Sequence, residues 1–491
     1  MTSVPTPGPP TPPTPPTASA SPAAISAAAP ARVLGPFDAA CVVVGAIVGV
    51  GIFFTPSRVA SLSHSPTMAL LAWAGAGAIA LCGALAFAEL GRRRHGPAAQ
   101  YQILREAFGP LTGFLFVFCN ATAVQAGAIG IISLICAHNL AAVASPHPLA
   151  DTHAALIAVA LIAAVTLANL AGVRWGSRLQ NITVVAKIGA LLAIAAVAAM
   201  FTPTTAPDPA PPPTALSPLA GLLAALVPAF FAFGGWQHAL WISGEVSRPA
   251  VNLPRAILGG TAVVLVVYLA ANAAYLALLG HAGVAGSKAL AADAVASVFP
   301  SAGRRLVAAA VAVSAFGVLN AQLLSGPRLI AGLAADGRFI PAFARVNARG
   351  APAGAILLLA GAALLLLFAA GADGIDRLLT GVVVVDGVFF IATAAALYRI
   401  PTFGCPLPLA ALAAAAFIVG EVALLTGSTL DPAARSASLI GAAWIVAAAL
   451  LYAAAFRPNA PLATKPGVAL TVLIVFAAAA AVALNLLKAT P

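Results

Sequence analysis

Apolar runs of about 20 residues recur along almost the whole sequence, and this feature restricts the possible folds more than any other. A run of that length, folded as an α-helix, crosses a hydrocarbon layer about 30 Å thick. The chain is 62% hydrophobic and only 8% charged, whereas about a quarter of the residues in a soluble domain are charged. The sequence therefore predicts an all-α polytopic membrane protein.

The apolar runs predict thirteen spans, of which the last is an addition to a twelve-helix plan. The predicted spans are 38–62, 67–91, 111–140, 153–172, 180–201, 218–246, 255–280, 303–326, 352–370, 377–398, 405–427, 436–456 and 466–488.

The net charge of +11 indicates orientation in the membrane. The basic residues are spread along short loops and are not gathered in a patch with aromatics, so we expect no nucleic-acid partner. They are more frequent in the segments that share a side with the N-terminus, and the positive-inside rule then predicts a cytoplasmic N-terminus in the inner (plasma) membrane.

Two proline-rich segments divide the chain. Residues 1–36 have a Pro/Thr/Ala-rich composition that predicts a disordered cytoplasmic tail, and residues 202–217 predict a loop. The predicted domains are then two five-helix repeats, 37–201 and 218–400, followed by two or three accessory helices in 401–491. An odd number of spans per repeat gives the two repeats opposite orientations, as in inverted-repeat transporters.

The first span of each predicted repeat contains an interruption. In the first, VVVGAIVGVGIFFTP at 42–56 carries Gly45, Gly49 and Gly51; in the second, FFAFGGWQHALW at 230–241 carries Gly234 and Gly235. A broken helix exposes free N–H groups at one end and free C=O groups at the other. These match the carboxylate and the ammonium of an α-amino acid. The alternative is that Gly45 and Gly49 allow close helix packing.

Longer motifs carry a family resemblance. GAIVGVGIFFTP at 45–56 and FFAFGGWQHALWISGEVSRPAVNLPRAILGG at 230–260 resemble the first and sixth helices of the amino acid-polyamine-organocation (APC) superfamily. The likeness is strongest to L-type amino acid transporters and their bacterial relatives, and it covers roughly residues 37–456. Further matches are LAFAELGRR at 85–93, YQILREAFGPLTGFL at 101–115, NITVVAKIGAL at 181–191 and SAFGVLNAQLLSGPRLIAGLAADGRFIP at 314–341.

The resemblance implies the site residues. The substrate carboxylate would meet the backbone amides of Gly49, Val50 and Gly51, and the ammonium would meet carbonyls near Ile47 and at Phe231, Ala232 and Phe233. Phe231 and Trp236 would act as gating aromatics, unless they are ordinary core residues, and Gly234 would leave room for the substrate side chain. Val50 departs from the small or hydroxylic residue common in relatives and narrows the pocket.

Ionisable residues inside spans are costly and therefore candidates for function. The resemblance implies that Lys187 reaches toward the first and eighth helices and couples transport to protons; the alternative is that it snorkels to the membrane surface. Ser314 is a candidate partner for its amine, with a bond to the carbonyl four residues earlier in its own helix as the alternative. Asp386 is a candidate proton site or counter-charge, with pairing to a neighbouring helix as the alternative, whereas Glu421 lies outside the predicted ten-helix core and receives less weight.

The function expected is secondary transport of α-amino acids, neutral ones in the first place, with proton coupling; exchange and transport of cationic amino acids or polyamines are alternatives. The major facilitator fold and a non-transporting amino acid sensor are rival interpretations. Enzyme motifs are missing, and we expect no catalytic residues, cofactor or metal site. The five cysteines lack metal or disulfide spacing, and we expect no partner subunit.

Overall fold

The structure, a computed structural model, describes residues 32–145, 147, 149–201, 216–300, 302–404, 407–430 and 432–455. Within the helices, the side chains of 370–383, 429–438 and 455, and that of residue 402, lie outside this description. The thirteenth predicted span, 466–488, also lies outside it, as do most of the N-terminal tail and the loop at 202–217.

Helices dominate the part of the chain that the structure describes. They are α1 (Pro36–Ile47), α2 (Gly51–Leu62), α3 (Pro66–Arg93), α4 (Ala99–Phe108), α5 (Pro110–Cys119), α6 (Ala126–Ala144), α7 (Asp151–Leu170), α8 (Val173–Met200), α9 (Pro218–Phe233), α10 (His238–Trp241), α11 (Pro249–Gly286), α12 (Leu290–Ala296), α13 (Gly303–Ala335), α14 (Ala353–Arg399), α15 (Pro408–Leu430) and α16 (Pro432–Ala455). A π-helical segment, Asn120–Gln125, joins α5 to α6.

Helix starts follow from local chemistry. Ser65 and Ser217 each precede a proline, and their hydroxyls accept bonds from the amides of Met68 and Ala220 at 3.2 and 3.4 Å. Proline suits the first helical turn because that turn has no use for its missing N–H group. The same Ser-Pro signal therefore opens α3 and α9.

Eight helices of the described residues are long and apolar enough to cross a membrane, or nine if α1 and α2 form one bent span. The ninth and tenth predicted spans do not separate: both fall within α14, because the intervening stretch at 371–376 contains glycines but no proline to end the helix. The protein is a multi-pass membrane protein with a five-plus-five inverted-repeat core, and its first and sixth spans are discontinuous.

The segment after α10 is held by hydrogen bonds to the chain before α1 and to α13. Leu34 exchanges backbone bonds of 2.9 Å with the Glu245 carbonyl and the Ser247 amide. The Glu245 carboxylate also accepts two bonds of 3.1 Å from the Arg328 guanidinium of α13. A bidentate, buried pair of this kind fixes orientation as well as distance. The chain before α1, the turn after α10 and α13 are therefore held together.

Candidate functional site: two broken helices

The first span breaks at residues 48–50. α1 ends at Ile47, α2 begins at Gly51, and their axes differ by 43°. Val48 leaves the helix with φ −72° and ψ 88°. The Gly49 amide faces the Tyr268 hydroxyl, whereas the amides of Val50 and Gly51 donate no hydrogen bond to any residue that the structure describes. These free N–H groups carry the partial positive charge of a helix N-terminus, which favours an anion.

Lys187 satisfies the carbonyl side of this break. Its Nζ lies 2.7 Å from the Gly45 carbonyl oxygen and 2.5 Å from that of Val48. The side chain is fully buried, so it reaches the break of the first span and does not snorkel to the surface. Its amine also lies 3.4 Å from the position that a Cβ on Gly317 of α13 would take. The position of Lys187 between α1 and α13 agrees with the expectation from the resemblance.

Ser314 does not bond the Lys187 amine. Its hydroxyl lies 3.2 Å from the Gly49 carbonyl oxygen and 3.5 Å from that of Val48. The hydroxyl therefore reaches across to the break instead of bonding within its own helix. Ser314 and Lys187 thus meet at the Val48 carbonyl, and together they bind three of the carbonyls around the break.

The sixth span breaks at Gly234 and Gly235. α9 ends at Phe233, and α10 begins at His238. Gly235 has φ +140°, a conformation that favours glycine. A Cβ there would lie 2.6 Å from the Ala46 carbonyl carbon and the Ile47 nitrogen. The two breaks therefore touch backbone to backbone, and only glycine allows this approach.

Tyr268 of α11 joins the two breaks, although no sequence motif points to it. Its hydroxyl lies 3.1 Å from the Ile47 carbonyl oxygen and 3.2 Å from that of Ala232. The ring is buried against Trp73 and Phe233, with centroid distances of 5.8 and 5.1 Å. Two carbonyls that were expected to receive a substrate ammonium are therefore neighbours, and a hydroxyl already lies between them.

Three further hydrogen bonds lie around the second break. The Phe231 carbonyl accepts the Gly234 amide at 3.2 Å. Beside the turn, Gln237 accepts the Gly235 amide at 2.9 Å, and the His238 Nδ1 lies 2.5 Å from the Ser325 hydroxyl. Both of these side chains are buried. The site thus offers backbone groups, and neither neighbouring side chain is an acid.

The two predicted gating aromatics have different surroundings. Phe231 is 44% exposed, although Phe230 and Phe233 on either side of it are buried. Trp236 is fully buried and packs against four aromatic rings at centroid distances between 5.4 and 6.2 Å: Phe87, Phe230, Phe390 and Phe417. In this conformation Phe231 has room to move, whereas Trp236 is a packing residue.

Asp386 lies on α14, one helical turn before Phe390, which stacks on Trp236. Asp386 therefore lies on the helix that packs against the residue after the second break, and its carboxyl group is not one of those that bond the first break. The neighbouring helix supplies Glu421, so the structure brings together two acids that the sequence places on separate spans. Groups of three or more potential metal ligands are absent from the described part of the chain.

The fold and the two breaks define a class of membrane transporter with an inverted-repeat core and unwound helices at its centre. A nucleobase-cation-symport-1 family transporter, Mhp1, in a closed conformation with bromovinylhydantoin bound, has a similar fold, with a TM-score of 0.52 at 14% identity. The match covers 86% of this chain and 95% of that one.

The chain belongs to the amino acid permease family, whose sequence profile matches residues 34–479. It is 28% identical over 326 residues to the mouse b(0,+)-type amino acid transporter 1, a match that covers 64% of this chain and 65% of that protein. It is 29% identical over 343 residues to the mouse Asc-type amino acid transporter 1, covering 67% and 63%. The rabbit large neutral amino acids transporter small subunit 2 is 29% identical over 334 residues, covering 64% and 60%. The matches thus span somewhat under two thirds of each relative's length.

Proposed function

We propose that the protein is a secondary transporter that moves α-amino acids across the membrane by alternating access. The observation that carries this proposal is the pair of free amides at Val50 and Gly51, which follow the Gly49 amide at the Tyr268 hydroxyl and lie beside the second break. A carboxylate fits the amides, and an ammonium fits the carbonyls. Several relatives named above are amino acid transporters, which supports the same class of substrate.

Binding would use both breaks at once. The carboxylate accepts from the α2 N-terminus, and the ammonium donates to the carbonyls of Ile47 and Ala232 in place of, or beside, the Tyr268 hydroxyl. Gly234 and Val50 border the space for the substrate side chain, and Phe231 closes over it. Because one amino acid bridges both helices, its binding favours the conformation in which they meet, as a ligand must do to shift a conformational equilibrium.

Neutral amino acids are the favoured substrates. The side chains next to the second break are Gln237 and His238, both buried, and no carboxylate replaces them to select a cation. Val50 narrows the pocket on the opposite side. We therefore expect smaller neutral amino acids to be transported in preference to cationic ones and to polyamines.

Proton coupling is assigned to Lys187. Its amine holds the Gly45 and Val48 carbonyls, and a charged amine makes stronger bonds to them than a neutral one. Loss of its proton would loosen α1 from α8, which links protonation to the geometry of the first break. The N-terminus would lie in the cytoplasm, and the chain would act without a disulfide-linked partner.

Uptake by proteoliposomes tests the proposal. Purified protein is reconstituted, and uptake of labelled neutral, cationic and acidic amino acids is measured with and without an inward proton gradient. We expect neutral amino acids to accumulate, and faster with the gradient. Uptake that requires an amino acid inside the vesicle would indicate exchange, and no transport of any amino acid or amine would refute the proposal.

A further inference from the structure

Two carboxyl groups lie on adjacent packed helices inside the membrane, Asp386 on α14 and Glu421 on α15. Glu421 is 2% exposed, and its Oε1 has no hydrogen-bond partner among the described residues. Its Oε2 lies 3.3 Å from the position that a Cβ on Gly387 would take. The carboxyl group therefore packs directly against the backbone next to Asp386.

No described cation compensates this pair. Asp386 is the only charged group among the described residues that acts electrostatically on Glu421, and Asp386 has no ion pair there either. α9 carries no ionisable side chain, and neither does the rest of α15. Ionisable side chains also occur on the described parts of α14 and of the other helices that pack against α14 or α15, and none of them acts electrostatically on Glu421. They are Cys82, Glu89, Arg92 and Arg93 on α3; Tyr101, Arg105 and Glu106 on α4; Cys136 and His138 on α6; Asp151 and His153 on α7; Arg304, Arg305 and Arg328 on α13; Tyr398 and Arg399 on α14; and Tyr452 on α16.

Two ionised carboxylates are not stable in this position. An ionised Glu421 loses its hydration, and like charges on the two adjacent helices repel each other in a medium of low dielectric constant. Two neighbouring carboxyl groups in such surroundings hold a proton between them, one donating its O–H to the other. We infer that Asp386 and Glu421 form a proton-binding site, separate from Lys187, in which the two carboxyl groups share one proton.

The pair is linked by packing to the second break. Phe390 lies one helical turn after Asp386, and Phe417 lies one turn before Glu421. Both rings contact Trp236, with centroid distances of 5.4 and 6.1 Å, and Trp236 directly follows Gly235. A shared proton holds α14 against α15 and keeps these rings on Trp236. Loss of the proton leaves two like charges, which push the two helices apart at the point where they support the break.

Infrared spectroscopy tests the proton site without any assay of transport. The C=O stretch of protonated carboxylic acids is compared at neutral pH in the wild type, Glu421→Gln, Asp386→Asn and the double variant. We expect the double variant to lose the intensity of one carboxylic acid and each single variant to shift the band, because the shared O–H···O bond is gone. A double-variant spectrum that superimposes on the wild type would overturn the inference.

A transport measurement tests the link to the break, and this part rests on the proposed function. We expect wild-type uptake to fall as the pH rises, because the proton leaves the pair, whereas Glu421→Gln keeps its rate at alkaline pH. The matched control is Thr426→Val on the same helix, since the Thr426 hydroxyl is exposed and bonds its own helix at the Val422 carbonyl; its profile should follow the wild type. Superimposable profiles for Glu421→Gln and the wild type would refute the link. If Glu421→Gln does not fold, Asp386→Asn gives the same comparison.

Wild-type protein that transports no amino acid would contradict the proposed function, and the infrared spectra would still decide whether the proton site exists. The two failures are therefore distinguishable.

Discussion

Removal of the Tyr268 hydroxyl gives the sharpest prediction about how the two breaks are held together. In Tyr268→Phe the ring keeps its contacts with Trp73 and Phe233, but the Ile47 and Ala232 carbonyls lose their shared donor. A buried polar group left without its partner costs about 1–3 kcal/mol. We therefore expect the free energy of unfolding to fall by about that amount.

Tyr275 provides a matched control on the same helix. Its ring is fully buried, as is that of Tyr268, but its hydroxyl has no hydrogen-bond partner in the described part of the chain. Tyr275→Phe removes the same atom without breaking a bond, so its cost should be close to zero. Denaturation in mixed micelles, followed by circular dichroism, measures both variants. Equal losses of stability in the two variants would refute the role assigned to Tyr268.

The remaining predictions concern the breaks and their surroundings. Gly235→Ala should abolish uptake, because its Cβ would lie 2.6 Å from the Ala46 backbone. The control Gly259→Ala, where nothing lies within 4 Å, should be neutral or raise the free energy of unfolding by up to about 1 kcal/mol. Similar uptake by both variants would contradict the close approach of the two breaks. Phe231→Ala should reduce uptake while the free energy of unfolding changes little, because the ring is 44% exposed. Phe230→Ala, which removes a buried ring, should lower the free energy of unfolding by about 3–5 kcal/mol. The same loss of stability in both variants would make Phe231 a packing residue. Lys187→Ala leaves the Gly45 carbonyl without its donor, at about 1–3 kcal/mol, and the Val48 carbonyl with only the Ser314 hydroxyl at 3.5 Å; removal of a buried ammonium offsets part of this cost. Uptake that remains normal and still responds to the proton gradient would disprove its coupling role.

Much of the fold is readable from the sequence because membrane helices must be long, apolar and internally bonded. The breaks are also readable, since Gly49, Gly51, Gly234 and Gly235 weaken helices in corresponding spans. The predicted separation of the ninth and tenth spans was wrong, because the stretch between them lacks a proline and both fall within α14.

The parts of the site that depend on contacts between distant helices could not be predicted from single spans. Tyr268 lies in an apolar helix, where a tyrosine is most simply interpreted as a core residue. Its role depends on two carbonyls that only the fold brings within reach. In the same way, Asp386 and Glu421 are two isolated acids in the sequence, and only the packing of α14 on α15 makes them a pair. Ser314 was expected at the Lys187 amine, but the shape of the first break directs its hydroxyl to Gly49.

The central claim is that one substrate is held at both charged ends by the backbone of the two broken helices. Equilibrium binding to the purified protein tests this most directly, with the best-transported amino acid, its carboxyl amide and its N-acetyl derivative measured side by side. We predict that both derivatives bind at least about tenfold more weakly, because each loses a charge-assisted set of bonds worth about 1.5–3 kcal/mol. Equal affinity for the amino acid and either derivative would contradict the account.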